Sequence, residues 1–169
     1  MRVLVPLFVC VTACAFAPPV SAASRDTRIY QYKNWEVRLV TWDDGSSSCV
    51  AEVSYVNGDA FSIWQDKSGG IRLQLYSPDW NFGAKDRYAD IELQVDNHNY
   101  WRVAKADFYK NSVLIDPPDD SSTHQFLAEI KTGNQLFLYD GNGKRQSDYS
   151  LAGSQASLDA MGSCLARLR

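Results

Sequence analysis

Histidine and methionine occur only twice each in this 169-residue chain, and cysteine four times. The two histidines, His98 in DNHNY and His124 in STHQF, have no second histidine or cysteine at metal-ligand spacing. They read as a turn residue and a helix-start residue, and no metal site is expected. No G-x-S-x-G run occurs, and no serine has a recognisable activating partner. No catalytic residue can be named, no cofactor is implied, and the chain is not expected to be an enzyme. Positive charge is not in excess: the formal net charge is −3 and no basic stripe appears. That excludes nucleic acid and an anionic membrane surface as natural partners. The N-terminal apolar run is too short to span a bilayer comfortably and no later segment is long enough, so no transmembrane span is expected.

What is present begins with a leader. MRVLVPLFVCVTACAFAPPVSA has one positive charge, Arg2, then an apolar run over 3–17, a Pro18-Pro19 break and the small-residue site Val20-Ser21-Ala22. This is the pattern of a secretory signal peptide over residues 1–22. A competing reading lies inside it. Val11-Thr12-Ala13-Cys14 resembles a lipobox, which would make Cys14 a lipid anchor. The two readings separate a periplasmic or secreted protein from a lipid-anchored envelope protein.

Either way Cys10 and Cys14 leave the folded domain with Cys49 and Cys164 alone. Two cysteines in an exported domain read as one disulfide; the alternative is a pair of buried thiols. The bridge would close a loop of 115 residues, worth about 4–5 kcal/mol on chain-entropy grounds.

The body of the chain reads as short strands. Residues 23–28 form a polar arm and 29–169 a single β-rich domain. In NWEVRLVTW, Trp35, Val37 and Leu39 alternate with Glu36 and Arg38, while Val40 and Trp42 share the second face. CVAEVSYV, AFSIWQD and IRLQLYS follow as strands, the last with Arg72, Gln74 and Tyr76 outward. Asn57-Gly58 predicts a hairpin turn with two positive-φ positions. DIELQVD, YWRVAKADFY and SVLID add strands, and QLFLYD, GNGK and RQSDYSL form a last hairpin. STHQFLAEIKTGN predicts a helix that Ser122 can cap and Gly133 can end. A closing helix from about Ser154 carries the stripe Leu158, Met161, Leu165 and Leu168, with Cys164 at its edge. Asp159 near its start, with Arg167 and Arg169 at its end, would suit the dipole. Together these predict a mainly β fold, an antiparallel β-sandwich or flattened barrel. One or two short helices pack on it, the C-terminal one tied by a disulfide.

NWEVRLV, SCVAEV, FLAEIKTGNQLFLYDGNGK and SLAGSQASLDAM, in this order, resemble the invasion-associated locus B family of exported bacterial proteins, best known from alphaproteobacteria. The resemblance implies an envelope protein with a β-sandwich-like core, linked to host-cell entry in some pathogens. It brings no catalytic residues. The chain departs from the family at W-x-V-x-C, where Leu39 replaces the cysteine.

Two features are candidates for function. Carboxylates cluster at Asp116, Asp119 and Asp120, and Asp140 opens DGNGK; calcium ligands and solvated turns both fit these patterns, though neither has the alternating ligands of an EF-hand. Residues 78–89, PDWNFGAKDRYA, form the longest irregular connection, and long loops are enriched in function. Trp80, Phe82 and Tyr88 in it, with Tyr76 beside it, are the expected binding residues. They would stack on sugars or anchor a protein partner, unless the rings instead plug an open end of the sheet. The expected function is therefore a non-enzymatic envelope protein that binds a protein or an envelope polymer. The alternatives are an inhibitor or accessory subunit of a cell-wall enzyme and a small hydrolase.

Overall fold

A computed structural model describes residues 24–85 and 87–168. The leader, the lipobox with Cys10 and Cys14, and Arg169 lie outside the described residues. The elements are β1 (Ser24–Tyr32), β2 (Trp35–Trp42), β3 (Ser47–Ser54), β4 (Ala60–Asp66), β5 (Ile71–Tyr76), β6 (Tyr88–Val95), β7 (Trp101–Tyr109), β8 (Ser112–Ile115), α1 (Ser121–Thr132), β9 (Gln135–Asp140), β10 (Arg145–Ser150) and α2 (Ser154–Leu165). All strands pair antiparallel in one sheet, ordered β1-β2-β3-β4-β5-β8-β7-β6-β9-β10.

Chain order and sheet order agree as far as β5 and then diverge. From β5 the chain crosses to β6, three places away, and returns through β7 to β8. Three strand spacings are about 14 Å, too far for a tight turn. The irregular stretch after Tyr76 is this crossing. Helix α1 makes a second crossing of the same width, from β8 to β9.

The alternating apolar residues turn to one face. Trp35, Val37, Ala51, Val53, Phe61, Leu73, Leu75, Leu93, Leu136 and Tyr149 are fully buried there. Each of the large ones contributes about 1.5–3 kcal/mol relative to exposure. The sheet bends until its two halves meet over this core. Trp35 Nε1 in β2 donates to the Ser150 carbonyl of β10 at 3.1 Å. The Ser150 amide donates to the Tyr55 hydroxyl. Tyr149 packs on Phe61 with ring centroids 5.9 Å apart. The result is sandwich-like. The sheet does not close: β1 and β10 remain its two ends, so the barrel alternative does not hold.

The bridge expected between Cys49 and Cys164 is present, with a Cα separation of 6.1 Å. It fixes α2 against β1, β2 and β3. The buried face of α2 differs from the expected leucine stripe. Ser154, Ser157, Met161 and Cys164 are buried, while Leu158 and Leu165 are only partly so. Small serines let the helix lie close to the sheet, and that rotation turns Cys164 onto the buried face. Gly153 caps α2 at φ 115°, where a Cβ would lie 3.1 Å from the Tyr32 carbonyl oxygen. Asp159 lies outside the first turn of α2 and pairs instead with Lys131 of α1 at 2.6 Å.

Three further local expectations change. Residues 24–28, read as an arm, form the first half of β1. Backbone pairing to β2 holds them, with ion pairs from Arg38 to Asp26 (2.7 Å) and Arg28 to Glu36 (3.1 Å). At Asn57-Gly58 only Gly58 has positive φ, and its amide bonds back to the Tyr55 carbonyl. Helix α1 is capped by Asp120, whose carboxylate accepts from the Thr123 amide at 2.8 Å, rather than by Ser122.

Candidate functional site

The outward face of the sheet carries the site. Cross-strand partners share a face, so the register fixes its rows. One row runs Arg38, Val50, Trp64, Arg72; the next Glu36, Glu52, Ser62, Gln74, Leu114, Asp107, Tyr88; the next Ala60, Tyr76, Ser112, Tyr109. Over β4, β5 and β8 this face sinks into an open groove of about 860 Å³. Trp42 and Trp64 line it at one end, their rings 6.2 Å apart. Tyr76 and Tyr109 line it at the other. Between them lie Gln74, Ser112, Leu114, Arg72 and Asp116.

Its polar groups are held in place by each other. Arg72 donates two hydrogen bonds to Asp116, Nε to Oδ1 at 2.7 Å and Nη2 to Oδ2 at 2.6 Å. This forked contact keeps the guanidinium charged even more firmly than usual. Gln74 Nε2 donates to Ser112 Oγ at 2.8 Å. Trp64 Nε1 donates to Ser62 Oγ at 2.9 Å, which orients the indole along the face. Asp66 accepts from the Ser68 hydroxyl and amide, and these bonds hold its carboxyl below the ordinary range. Lys110 Nζ sits 5.1 Å from the centre of the Tyr109 ring. Beside the groove, Arg38 gathers Asp26, Glu36 and Glu52 within 3.2 Å. Burial pushes the Glu52 carboxyl up, against the pull of Arg38.

The four expected binding residues are not brought together. Tyr76 lines the groove. Tyr88 is exposed at the start of β6, across from Asp107 on the same outward face. Trp80 and Phe82 are partly buried and pack as a cluster, Trp80 on Phe82 at 5.6 Å and Phe82 edge-on to Phe108 at 4.9 Å. Phe108 pairs with Val113 and so faces inward. The loop is tied down along this path: the Phe82 amide donates to the Lys110 carbonyl and the Lys110 amide to the Gly83 carbonyl, both at 2.7 Å. These two rings cap the inner core where the chain crosses the sheet.

The acidic turns have structural tasks. Asp116 pairs with Arg72, Asp119 lies 2.8 Å from His124, and Asp120 caps α1. Asp140 accepts from the amides of Asn142 and Lys144 in its own turn. His98 lies 3.3 Å from Glu129. Among the described residues no three histidine, cysteine or acidic side chains converge as metal ligands.

Sequence reasoning missed Trp42, Trp64, Arg72, Tyr109 and Asp116 as partners in one site. Trp42 and Trp64 both fall on outward positions of alternating strands, a signal that was legible. What brings them together is register between strands, which alternation within one strand does not carry. No family model, curated protein or solved structure matches this chain.

Proposed function

We propose that this chain is an exported, non-enzymatic envelope protein that binds a polymeric partner along the outward groove. The observation that carries this reading is the groove itself. Four aromatic side chains and a set of mutually bonded polar groups line an open groove of about 860 Å³. A concave surface with aromatic walls and convergent polar groups is the default place for a ligand. Binding suits it better than catalysis, because its polar groups are already engaged. Asp116 is committed to Arg72 and Asp66 to its own turn, and the side chain hydrogen-bonded to Ser112 is the Gln74 amide, which is not a base. Export is supported by the buried disulfide and by the leader pattern. Among the described residues no helix is long and apolar enough to cross a membrane. The resemblance to invasion-associated locus B proteins is in keeping with an envelope role, and a link to host interaction belongs to the same proposal.

Co-sedimentation with washed envelope fragments tests this. The native domain is expected in the pellet, the Trp64→Ala/Tyr109→Ala double variant in the supernatant, and Tyr88→Ala with the native domain. A double variant that keeps its native circular dichroism and still sediments would overturn the groove as the binding surface.

A further inference from the structure

We infer that the groove selects an uncharged, hydroxyl-rich glycan strand; this rests on the groove being the binding surface. Charge comes first. The charged residues that line it are Arg72, Lys110, Asp66 and Asp116, two cations and two carboxylates. Their formal charges sum to zero, and Arg72 and Asp116 cancel locally. Arg72 places two of its N–H donors on Asp116, so an anionic polymer meets a guanidinium already paired with a carboxylate. Lys110 lies over Tyr109 rather than standing free. The carboxylates beside the groove around Arg38 and the chain's net charge of −3 repel polyanions further. A polycation finds no net negative lining either.

Shape and chemistry supply the rest. An aromatic ring offers an apolar face with polar neighbours at its edge, which suits a sugar ring with apolar C–H groups on its face and hydroxyls at its rim. The groove repeats that combination at both ends. Trp64 and Tyr109 are three strands apart and four residues apart along the strands, about 20 Å on the diagonal. That is longer than one sugar ring and calls for a strand. The floor between them presents amide, hydroxyl and guanidinium–carboxylate groups. These are paired donors and acceptors that can share hydrogen bonds with hydroxyls without losing a charge partner.

Calorimetry and tryptophan fluorescence with the native domain provide the test. The probes are cellohexaose, chitohexaose, maltohexaose and xylohexaose as neutral strands, and a heparin-derived hexasaccharide as the anionic one, each at low and high salt. At least one neutral strand is expected to bind, to shift the tryptophan emission and to hold its affinity as salt rises, since no counterions are released. Trp64→Ala is expected to weaken it about tenfold or more, and Tyr109→Ala serves as an independent second variant. Asp116→Asn uncovers the Arg72 charge; it should create heparin binding absent from the native domain. Chromatography of the sugar after incubation should return it intact.

Preferential, salt-sensitive heparin binding by the native domain would overturn the neutral-glycan inference and leave the groove reading standing if Trp64→Ala abolishes it. Failure of every neutral strand overturns the inference. The groove reading falls with it only if the double variant also sediments with envelope fragments. A shortened sugar would overturn the non-enzymatic part alone.

Discussion

Replacing both Cys49 and Cys164 by alanine should remove about 5 kcal/mol of stability. The bond joins residues 115 apart, and the chain-entropy relation for a loop of that length gives about 5 kcal/mol near room temperature. Alanine is the suitable replacement because both side chains are fully buried and a serine would bring an unpaired hydroxyl. Domains of this size are stable by about 5–15 kcal/mol, so the loss is a third of the total or more. It corresponds to a fall in Tm of about 10–20 °C. Urea titration followed by circular dichroism measures it directly. Hydrogen exchange adds a second reading: α2 amides should lose protection before those of β3 to β5, because the helix docks on serines, one methionine and the cystine rather than on a leucine face. A midpoint shift worth less than about 1 kcal/mol, with α2 still protected, would refute the claim that the bridge holds the helix.

Two further outcomes follow from local geometry. Gly133→Ala should cost about 1–3 kcal/mol in a thermal melt; its φ of −78° suits alanine, but the new Cβ would lie 2.3 Å from Val95 Cγ1, and Val95 is fully buried. An unchanged Tm would show that β6 and α1 yield there. Asp140→Asn should flatten the acid limb of the stability curve. Amide bonds from Lys144 and Asn142 lower the folded carboxyl below its ordinary 3.8. Its contribution is therefore complete above that value and is lost as pH falls through the lower folded one. Urea midpoints across the acid range check this, and a limb as steep as the native one would refute it.

Much of the fold is legible in the residues, and the reasons differ by element. IRLQLY declares its strand and both its faces because its alternation is complete. Both helices show in their place along the chain, and Gly133 marks the end of α1, since those signals lie within a dozen residues; the N-cap of α1 falls two residues earlier than expected. SRDTRIYQY hides β1 because polar residues fill its outer half; backbone pairing to β2 specifies it, and backbone carries no sequence signature. The rotation of α2 is hidden for a related reason. Leucine spacing marks an apolar stripe, whereas the close approach of serines to the sheet depends on where the bridge pulls the helix. Phe82 and Trp80 could be read as exposed anchors or as a plug for the sheet, because a loop has no inside until its path is known. The crossing from β5 to β6 gives it one, and both rings pack on the core. The groove was the least visible feature, as its walls come from six strands whose order departs from chain order after β5.

That departure has a consequence for the groove. The first five strands form one consecutive meander, and β6 to β8 form another laid down in reverse. They are zipped together through four residue pairs, Leu73 with Ile115 to Tyr76 with Ser112. Gln74–Ser112 and Arg72–Asp116 lie directly over that seam. A molecule seated there acts as a suture between two halves of the chain, so occupancy should be felt as slower parting of the halves far from any atom it touches.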